Sequence, residues 1–325
     1  MSDQHSTAIS LIPPPLGGGT HEPRLGAEGR DRAAHAAISP HLARRHDTTR
    51  LDEAIDRAVR AALAEDVATG DLTTDAVVDP AARASGSILL REPGVVCGLG
   101  AAEAVFRALD PAAGVERLAA DGDEIQGAPR EIVRIEGSAR AILTGERAAL
   151  NLLGRLCGIA TLTRRYVDAV AGTGAQILDT RKTTPGLRVL EKYAVSCGGG
   201  RNHRLSLDDA VLIKDNHVRL AGGVRAAVER VRTAGLDLPI EVEAEALADV
   251  QEALDAGADA ILLDNMTPAE LREAVALVAG RVPLEASGGV SLDTVRAVAE
   301  TGVDLVSVGA LTHSARSLDV SLELR

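Results

Sequence analysis

Apolar residues recur at helical spacing at the point where ordered structure is predicted to begin. One face of this first helix carries an apolar residue at every fourth position: Leu51, Ile55, Val59 and Leu63. Three short apolar segments, separated by glycine and proline, follow as predicted strands: 87–90, 95–97 and 132–135. One helix followed by short strands predicts a small α+β domain over residues 48–157.

A longer helix is predicted to begin near Thr144, whose hydroxyl group is a suitable N-cap. Its apolar side would be formed by Leu150, Leu153 and Leu156. Arg147 would then lie in the exposed first turn, where a cation opposes the helix dipole. The pattern leaves two alternatives open for this arginine: a functional side chain or an ordinary solvated one.

From about residue 175 the pattern changes to apolar segments that alternate with helical stretches. Six segments are predicted strands: 176–178, 210–213, 240–243, 260–263, 282–285 and 305–308. The later ones begin roughly 20 to 23 residues apart, and Gly257, Gly280 and Gly302 precede them in turn. Such repeats favour parallel βα units that close into a barrel over residues 158–312, with an open doubly wound sheet as the alternative. The tail, 313–325, is predicted to join the small domain.

The first 47 residues differ from the rest of the chain. They contain Pro13-Pro14-Pro15, Gly17-Gly18-Gly19 and five of the eight histidines, and they have no sustained apolar period. This composition is typical of disordered segments. An apolar stretch at 9–12 ends too soon in proline for a secretory signal. The histidines could bind a metal, but a solvated extension is the simpler interpretation.

Composition and charge argue against several classes of partner. The net charge is −12 and aromatic residues make up 1% of the chain, so a nucleic acid would find neither a basic face nor a stacking platform. No apolar run reaches the roughly 18 residues that a membrane helix needs. Cys97, Cys157 and Cys197 have no paired spacing, which argues against a disulfide framework or a zinc site. We therefore expect a cytoplasmic protein without nucleic-acid or membrane partners.

Polar residues follow the predicted strands of the second half, and parallel strands would bring them to one mouth of a barrel. The candidate mouth residues are Thr180, Arg181, Lys182, His203, Arg204, Lys214, Glu243, Asp264, Ser287 and Gly309. Their positive charge predicts a multiply anionic small ligand, although some of these cations could only balance acidic neighbours. Two of the chain's three lysines, Lys182 and Lys214, belong to the set. Because arginine fills most other cationic positions, we infer that these two sites require the compact ammonium group of lysine.

Carboxylates are also predicted at the mouth. Glu243 and Asp264 could hold Mg²⁺ or accept ribose hydroxyl groups, since hard cations take oxygen ligands. Glu241 lies two residues earlier on the same strand, and we expect it to be a buried partner of a mouth cation.

Two glycine loops are predicted to bind phosphate. Ser287-Gly288-Gly289 precedes a helix that is predicted to begin near Ser291, and Gly309 follows the last strand. Exposed amides and a helix N-terminus bind phosphate, and in barrels the last two strand loops frequently carry such a site.

Seven segments resemble, in order and context, the quinolinate phosphoribosyltransferases of NAD synthesis: DTRKTTPGLR, GGGRNHR, LIKDNH, EVEAE, LLDN, EASGGV and VGALTHS. The resemblance spans about 51–324, and DTRKT with NHR is its most specific part. It implies an α/β fold: an incomplete barrel of parallel strands with a smaller N-terminal sandwich domain. It also implies a homodimer in which each active site borrows a residue from the neighbour's small domain.

The resemblance further implies roles for single residues. Contacts with quinolinate and phosphoribosyl pyrophosphate would fall on Arg147, Thr180, Arg181, Lys182, His203, Arg204, Lys214, Glu243 and Asp264. Phosphate contacts would fall on Ser287, Gly288, Gly289, Gly309 and His313. The catalytic residues would be Lys182, Lys214, Glu243 and Asp264, and the last two would hold Mg²⁺. Arg147 is thereby favoured as the contact made across the dimer.

Other functions are left open by the residues themselves. A Schiff-base aldolase would use Lys182 or Lys214 as its nucleophile. A protein that binds a phosphate metabolite without turnover, or a paralogous phosphoribosyltransferase of another pathway, would use the same cations. Borohydride trapping on a lysine would indicate the first, and tight binding without turnover would indicate the second.

Overall fold

The computed structural model describes residues 48–325, so the segment predicted to be disordered, 1–47, lies outside the described residues. The small domain is built on a four-stranded antiparallel sheet in the order β12-β1-β5-β3. Its strands are β1 (Arg83–Leu90), β3 (Gly114–Arg117), β5 (Arg130–Ser138) and β12 (Val320–Leu324). Two short strands pair separately, β2 (Gly94–Val95) with β4 (Glu124–Ile125). The first three described helices are α1 (Thr48–Asp66), α2 (Leu72–Val77) and α3 (Leu99–Leu109).

The predicted apolar face of the first helix is confirmed. Its four residues are buried or partly buried against one core: Leu51, Ile55, Val59 and Leu63. Two of the three predicted strands of this domain lie within β1 and β5. The strand predicted at 95–97 is wrong in extent, because pairing ends at Val95 and the N–H of Cys97 donates to Sγ of Cys157 at 3.2 Å.

One long helix, α4 (Ala139–Ala169), connects the two halves of the chain and passes through the predicted domain boundary at 157. The prediction that Thr144 caps this helix is wrong. The N-cap is Ser138, whose hydroxyl oxygen accepts the N–H of Ala141 at 3.4 Å. The helix begins earlier than predicted because β5 runs directly into it and its first residues are already buried in the core.

The early start of α4 changes the interpretation of Arg147. This residue is exposed and lies in the third turn of the helix, not in the first. The field of a helix dipole acts within the first turn, so the argument that a cation is mismatched here does not apply. The case for a function of Arg147 therefore rests on its exposure and on the family resemblance.

The second half of the chain forms a six-stranded parallel sheet in the order β6-β11-β10-β9-β8-β7. Its strands are β6 (Gln176–Leu178), β7 (Val211–Ile213), β8 (Ile240–Ala244), β9 (Ala260–Asp264), β10 (Leu284–Ser287) and β11 (Leu305–Ser307). The order follows the chain around a ring that is open between β6 and β7, without the reversal of a doubly wound sheet. A single bridge between Leu178 and Arg201 lies at this opening. The predicted incomplete barrel is therefore confirmed.

Helices connect the barrel strands, as the repeating pattern predicts. They are α5 (Arg188–Cys197), α6 (Asp215–Ala221), α7 (Val224–Thr233), α8 (Leu247–Asp255), α9 (Pro268–Val278) and α10 (Val295–Ala299), and one more helix, α11 (Ala310–His313), follows the last barrel strand. Apolar residues of the strands and helices pack into one continuous buried core with those of the small domain. Within residues 48–325, no helix is both long enough and apolar enough to cross a bilayer.

The C-terminal tail returns from the barrel to the small sheet. Strand β12 pairs antiparallel with β1, in a register that places Val320 opposite Leu90 and Leu324 opposite Gly86. On its way the tail crosses α4 at Gly158, where a side chain would overlap the carbonyl group of Arg316. Only glycine permits this close backbone approach, which fixes the barrel against the small domain.

Candidate active site

A cavity of about 490 Å³ lies at the carboxyl ends of the barrel strands. It is lined by eleven of the residues proposed from the sequence: Thr180, Arg181, Lys182, His203, Arg204, Lys214, Glu243, Asp264, Ser287, Gly288 and Gly289. Parallel strands direct their C-terminal loops to one face, which explains why residues more than a hundred positions apart meet here. The cavity is large enough for a small, highly charged molecule.

Three proposed residues do not line this cavity. Gly309 and His313 lie beside it, since a Cβ atom built on Gly309 would be 3.1 Å from both Cδ of Lys182 and Nε2 of His313. Arg147 is on the exposed side of α4 and outside the cavity of its own chain. Five further lining residues were not proposed from the sequence: Leu212, Leu262, Asn265, Glu285 and Ser307.

Beneath the cavity, the third lysine of the chain forms a buried ion pair. The side chains of Lys192 and Asp179 are 1% and 0% exposed, and Nζ donates to Oδ1 and also to the carbonyl oxygen of His203 at 3.0 Å. The same Oδ1 accepts the N–H of His203 at 2.8 Å. Burial raises the pKa of Asp179 to about 6 although Lys192 opposes the shift, and burial likewise lowers the pKa of Lys192. This pair therefore fixes the backbone that carries His203.

Two guanidinium groups lie together at the rim of the cavity. Burial, followed by repulsion from Arg181, lowers the pKa of Arg204. Nη1 of Arg204 donates to the carbonyl oxygen of Ala210 at 3.2 Å. The Nε atom of Arg181 is buried without a hydrogen-bond partner among residues 48–325. Like charges held side by side with an unused donor are suited to an anion that binds both.

A pair of carboxylates lies on the adjacent strands β8 and β9. Glu243 accepts a hydrogen bond from Nζ of Lys214, and Asp264 accepts one from Nδ2 of its neighbour Asn265 at 2.8 Å. Burial, with the charge of Glu243 as the next cause, raises the pKa of Asp264. Two carboxylates that repel each other would be stabilised by a divalent cation, so their oxygen donors fit Mg²⁺.

The loop after β10 is shaped by glycine. Gly288 and Gly289 have φ angles of 97° and 61°, and a side chain on Gly288 would overlap the side-chain amide of Asn265. The N–H of Asn265 donates to the carbonyl oxygen of Ser287 at 2.9 Å, which holds the loop against the end of β9. No side chain of these two glycines covers the loop backbone at the wall of the cavity, so its amides are accessible to a ligand.

The helix that was predicted to begin near Ser291 starts later. Helix α10 begins at Val295, because the N–H of Ser291 bonds to Oγ1 of Thr294 at 2.9 Å and a turn precedes the helix. This correction removes the helix N-terminus from the predicted phosphate loop and leaves its glycine backbone. The second glycine loop differs, since Gly309 is itself the N-cap of α11.

A buried cluster forms the floor of the cavity. Nε2 of His203 lies 3.1 Å from Oε2 of Glu241 and 3.5 Å from Oε2 of Glu285. Glu241 was predicted to be a buried partner of a mouth cation, and it is buried against the ring of His203. Glu285 was missed, although the period of a strand places it on the same face as Ser287, two residues later. Its acidic side chain on an otherwise apolar strand was the available signal.

The cluster brings together three ligand types that metals use, within 4.8 Å of one another. The ring of His203, however, is already oriented by hydrogen bonds. Its Nδ1 accepts the N–H of Arg204 at 2.7 Å, so that the hydrogen of the neutral ring is on Nε2 and points to the carboxylates. In this orientation the hydrogen on Nε2 faces the carboxylates, which favours a hydrogen-bonded cluster over a metal site.

Two family models and several known proteins match most of this chain. The family "Quinolinate phosphoribosyl transferase, N-terminal domain" matches residues 71–157, and the corresponding C-terminal domain matches residues 159–323. The nicotinate-nucleotide pyrophosphorylase [carboxylating] of Mycobacterium leprae is 46% identical over 275 residues, which cover 82% of this chain and 95% of that protein. A probable enzyme of the same name from Synechocystis is 43% identical, covering 83% of this chain and 92% of that protein.

Solved structures are similar over the same region. The crystal structure of NadC from Streptococcus pyogenes has a TM-score of 0.80 and 42% sequence identity, and the match covers 83% of this chain and 96% of that one. The two family domains together match more than half of the chain, and both sides of the cavity lie within them. This chain belongs to the quinolinate phosphoribosyltransferase family.

Proposed function

We propose that this chain transfers the phosphoribosyl group of phosphoribosyl pyrophosphate to quinolinate and removes one carboxylate. The products are nicotinate mononucleotide, pyrophosphate and CO₂, and the reaction serves NAD synthesis. The observation that carries the proposal is one cavity that combines guanidinium groups, two lysines, a carboxylate pair and a bare glycine loop. Both substrates are polyanions, and each part of the cavity offers a group that such substrates need.

The cations would bind and orient the two substrates. Arg181 presents an unused Nε donor beside the guanidinium group of Arg204, which suits the paired carboxylates of quinolinate. Lys182 lies beside Gly309, where a compact ammonium can neutralise charge on the departing pyrophosphate. Holding two polyanions in contact supplies much of the rate, because the reacting atoms no longer have to meet by diffusion.

The reaction itself is balanced without an organic cofactor. The ring nitrogen of quinolinate attacks the anomeric carbon while the bond to pyrophosphate breaks. The positive charge that the nitrogen acquires then stabilises the electron pair that CO₂ leaves on the ring. An external electron sink is therefore unnecessary.

Glu243 and Asp264 are the residues that would hold Mg²⁺, together with oxygens of phosphoribosyl pyrophosphate. When bound, the ion would neutralise the charge of the leaving group. The ammonium group of Lys214 keeps Glu243 at the end of its strand, so this lysine orients one of the two proposed ligands. Asp264 has fewer protein contacts and is the better candidate for direct coordination.

We further propose that the enzyme is a homodimer in which Arg147 completes the cavity of the partner. Two exposed leucines support such an interface, one near Arg147 and one near the cavity. Leu72 on α2 is 85% exposed, and this helix is tied to α4 by a hydrogen bond from Thr144 to Asp71 at 3.1 Å, three residues before Arg147. Near the cavity, Leu220 is 83% exposed on α6.

A cytoplasmic location remains a prediction, and a rice relative is described as chloroplastic.

The proposed function is tested by an assay with both substrates. Purified protein is given quinolinate carrying an isotopic label in its 2-carboxylate, phosphoribosyl pyrophosphate and Mg²⁺, and release of labelled CO₂ is followed with release of pyrophosphate. Nicotinate replaces quinolinate as the matched control, since it has no 2-carboxylate to lose. Equal release of the two products supports the proposal. Binding of both substrates without either product would contradict it and favour a binding protein.

A further inference from the structure

After loss of CO₂, the proposed reaction needs a proton donor. The bond from the ring to the 2-carboxylate breaks, its electron pair stays on the ring carbon, and that carbon needs one proton to become the C–H bond of the product. A source for this proton is needed only if the proposed function is correct, so the inference rests on that function. The candidates are the titratable groups that line the cavity.

Glu285 lines the cavity, and its contacts within the fold do not explain why an acidic side chain is buried there. It is 1% exposed, lies on β10 in the cavity floor, and has neither carboxyl oxygen hydrogen-bonded among residues 48–325. A buried carboxyl group that accepts no hydrogen bond is costly to ionise, which favours its protonated form. Nε2 of His203 lies 3.5 Å from one of its carboxyl oxygens.

The floor of the cavity retains an extra proton near neutral pH. Burial opposes a charge on His203, but the carboxylates of Glu285 and Glu241 outweigh this cost and raise the pKa of His203 to about 9. Burial, partly offset by His203, raises the pKa of Glu285 to about 7. The proton shared by this cluster cannot lie on Nδ1 of His203, because that atom accepts the N–H of Arg204. Of the two carboxyl groups, that of Glu285 is enclosed more completely, at 1% exposed against 9% for Glu241, so we place the proton there.

We propose that Glu285 is the acid that protonates the ring carbon as CO₂ departs, so that release of CO₂ depends on its proton. Its O–H bond breaks, the proton joins the carbon that holds the electron pair, and the carboxylate that remains is neutralised again from water through His203 before the next turnover. No oxidant or reductant is involved. The neutral form also suits the bound state, because an ionised Glu285 would repel the carboxylates of the substrate.

The other lining groups suit this task less well. Arg181 and Arg204 do not release protons in the physiological range. Lys214 is held by Glu243, and Lys182 lies toward the phosphate loop of Gly309. Asp264 stands beside Glu243, at the proposed Mg²⁺ ligands and away from the floor of the cavity.

The test separates glycosyl transfer from decarboxylation. Glu285→Gln keeps the size of the side chain and removes its acidic proton. In single-turnover experiments we expect pyrophosphate release within about threefold of wild type, whereas CO₂ release slows by about 10²- to 10⁴-fold, the usual contribution of a general acid. The adduct that retains both carboxylates should then accumulate and be detectable after acid quench. Glu300→Gln, the same change in an exposed ion pair on the barrel surface, serves as the control.

Each outcome decides between the two proposals. If wild type releases no pyrophosphate from these substrates, the proposed function fails and the role of Glu285 falls with it. If wild type is active and the variant slows pyrophosphate release as much as CO₂ release, the residue supports the fold or binding and is not the acid. Wild-type rates for both products in the variant would overturn the assignment of Glu285 alone.

Should the variant fail to fold, wild type supplies a second test. The rate of CO₂ release in a single turnover should fall as the pH rises above about 7, because Glu285 must carry its proton, while pyrophosphate release should not follow this decrease. The groups that face Glu285 are His203, Glu241 on β8, Asp179 after β6 and the hydroxyl of Ser307 on β11. Identical pH profiles for the two products would overturn the proposal.

Discussion

Lys192 and Asp179 form an ion pair that is completely enclosed beneath the cavity, and both side chains also bond to the backbone of His203. The pair stabilises the fold and also positions residues of the site. It joins α5 to the end of β6 and holds the loop from which His203 and Arg204 enter the cavity. Removing one partner would leave a buried charge without compensation.

We predict that Lys192→Met lowers the free energy of unfolding by about 3–5 kcal/mol at neutral pH. The pKa of Asp179 is raised in the folded protein from 3.8 to about 6, so the proton on this carboxyl stabilises the fold at low pH and that contribution is lost as the pH rises through about 6. Without the ammonium group the pKa should rise further. The difference between variant and wild type should thus be smaller at pH 5 than at pH 8.

Urea denaturation at the two pH values measures this difference. Arg60→Met, which breaks the exposed pair with Asp56, is the control and should cost less than about 1 kcal/mol. A loss for Lys192→Met that is equally small, or that does not depend on pH, would show that the pair is not needed to compensate burial of Asp179.

The second prediction concerns the identity of the cations at the mouth. Arg181→Lys preserves the charge but removes the planar fork that binds a carboxylate with two donors, so KM for quinolinate should rise about tenfold or more. Lys182→Arg should impair turnover by crowding the space beside Gly309, where Cδ of the lysine already lies close to the backbone. Steady-state kinetics with each substrate varied separately measures both effects. Near-normal constants in both variants would refute the inference drawn from the scarcity of lysine.

The third prediction tests the proposed magnesium ligands. Asp264→Asn should raise the Mg²⁺ concentration for half-maximal activity about tenfold, because the amide cannot supply an anionic ligand. Glu243→Gln should raise it less, since Lys214 already neutralises part of the charge of Glu243. Activity is titrated against Mg²⁺ at a fixed, saturating concentration of phosphoribosyl pyrophosphate. An unchanged Mg²⁺ requirement in both variants would mean that the ion is held by the substrate alone.

Much of the fold was predictable because its determinants are local. Alternation of apolar segments with glycine loops located all six barrel strands, and the order of βα units was sufficient to favour a barrel over a doubly wound sheet. Element ends were less predictable. Thr144 has the chemistry of a cap, but the helix had already begun at Ser138, since burial of its first residues favours an earlier start. Both Ser138 and Thr144 have a hydroxyl group that can cap a helix, so side-chain chemistry alone did not show at which of them the helix begins.

The site was predictable at its rim and only in part at its floor. Lys182, Lys214 and Asp264 stand where strands end, and a sequence shows strand ends directly. Glu285 and Lys192 act through partners that are distant in sequence, such as His203 for the first and Asp179 for the second. An isolated acidic residue within an apolar segment indicates a buried polar contact, but the partner becomes known only from the packing of the barrel.

The last prediction concerns Arg147, which is exposed on α4 and does not line the cavity of its own chain. If it completes the partner's cavity, Arg147→Ala homodimers should lose activity by at least about 10²-fold, as should Lys182→Ala homodimers. Arg165→Ala, an exposed arginine on the same helix, is a matched control that should retain activity. Folding and dimerisation of each variant are checked by circular dichroism and light scattering.

Mixing the two inactive variants gives the decisive measurement. In a heterodimer with two-fold symmetry, one cavity receives both defects, while the other combines an intact Lys182 with an intact Arg147 from the second chain. Refolded mixtures, with differently tagged chains purified as heterodimers, should therefore regain up to about half of the wild-type activity per dimer. If verified heterodimers stay as inactive as their parents although both variants fold and dimerise, Arg147 does not act across the interface, because each intact copy would then be separated from the intact Lys182.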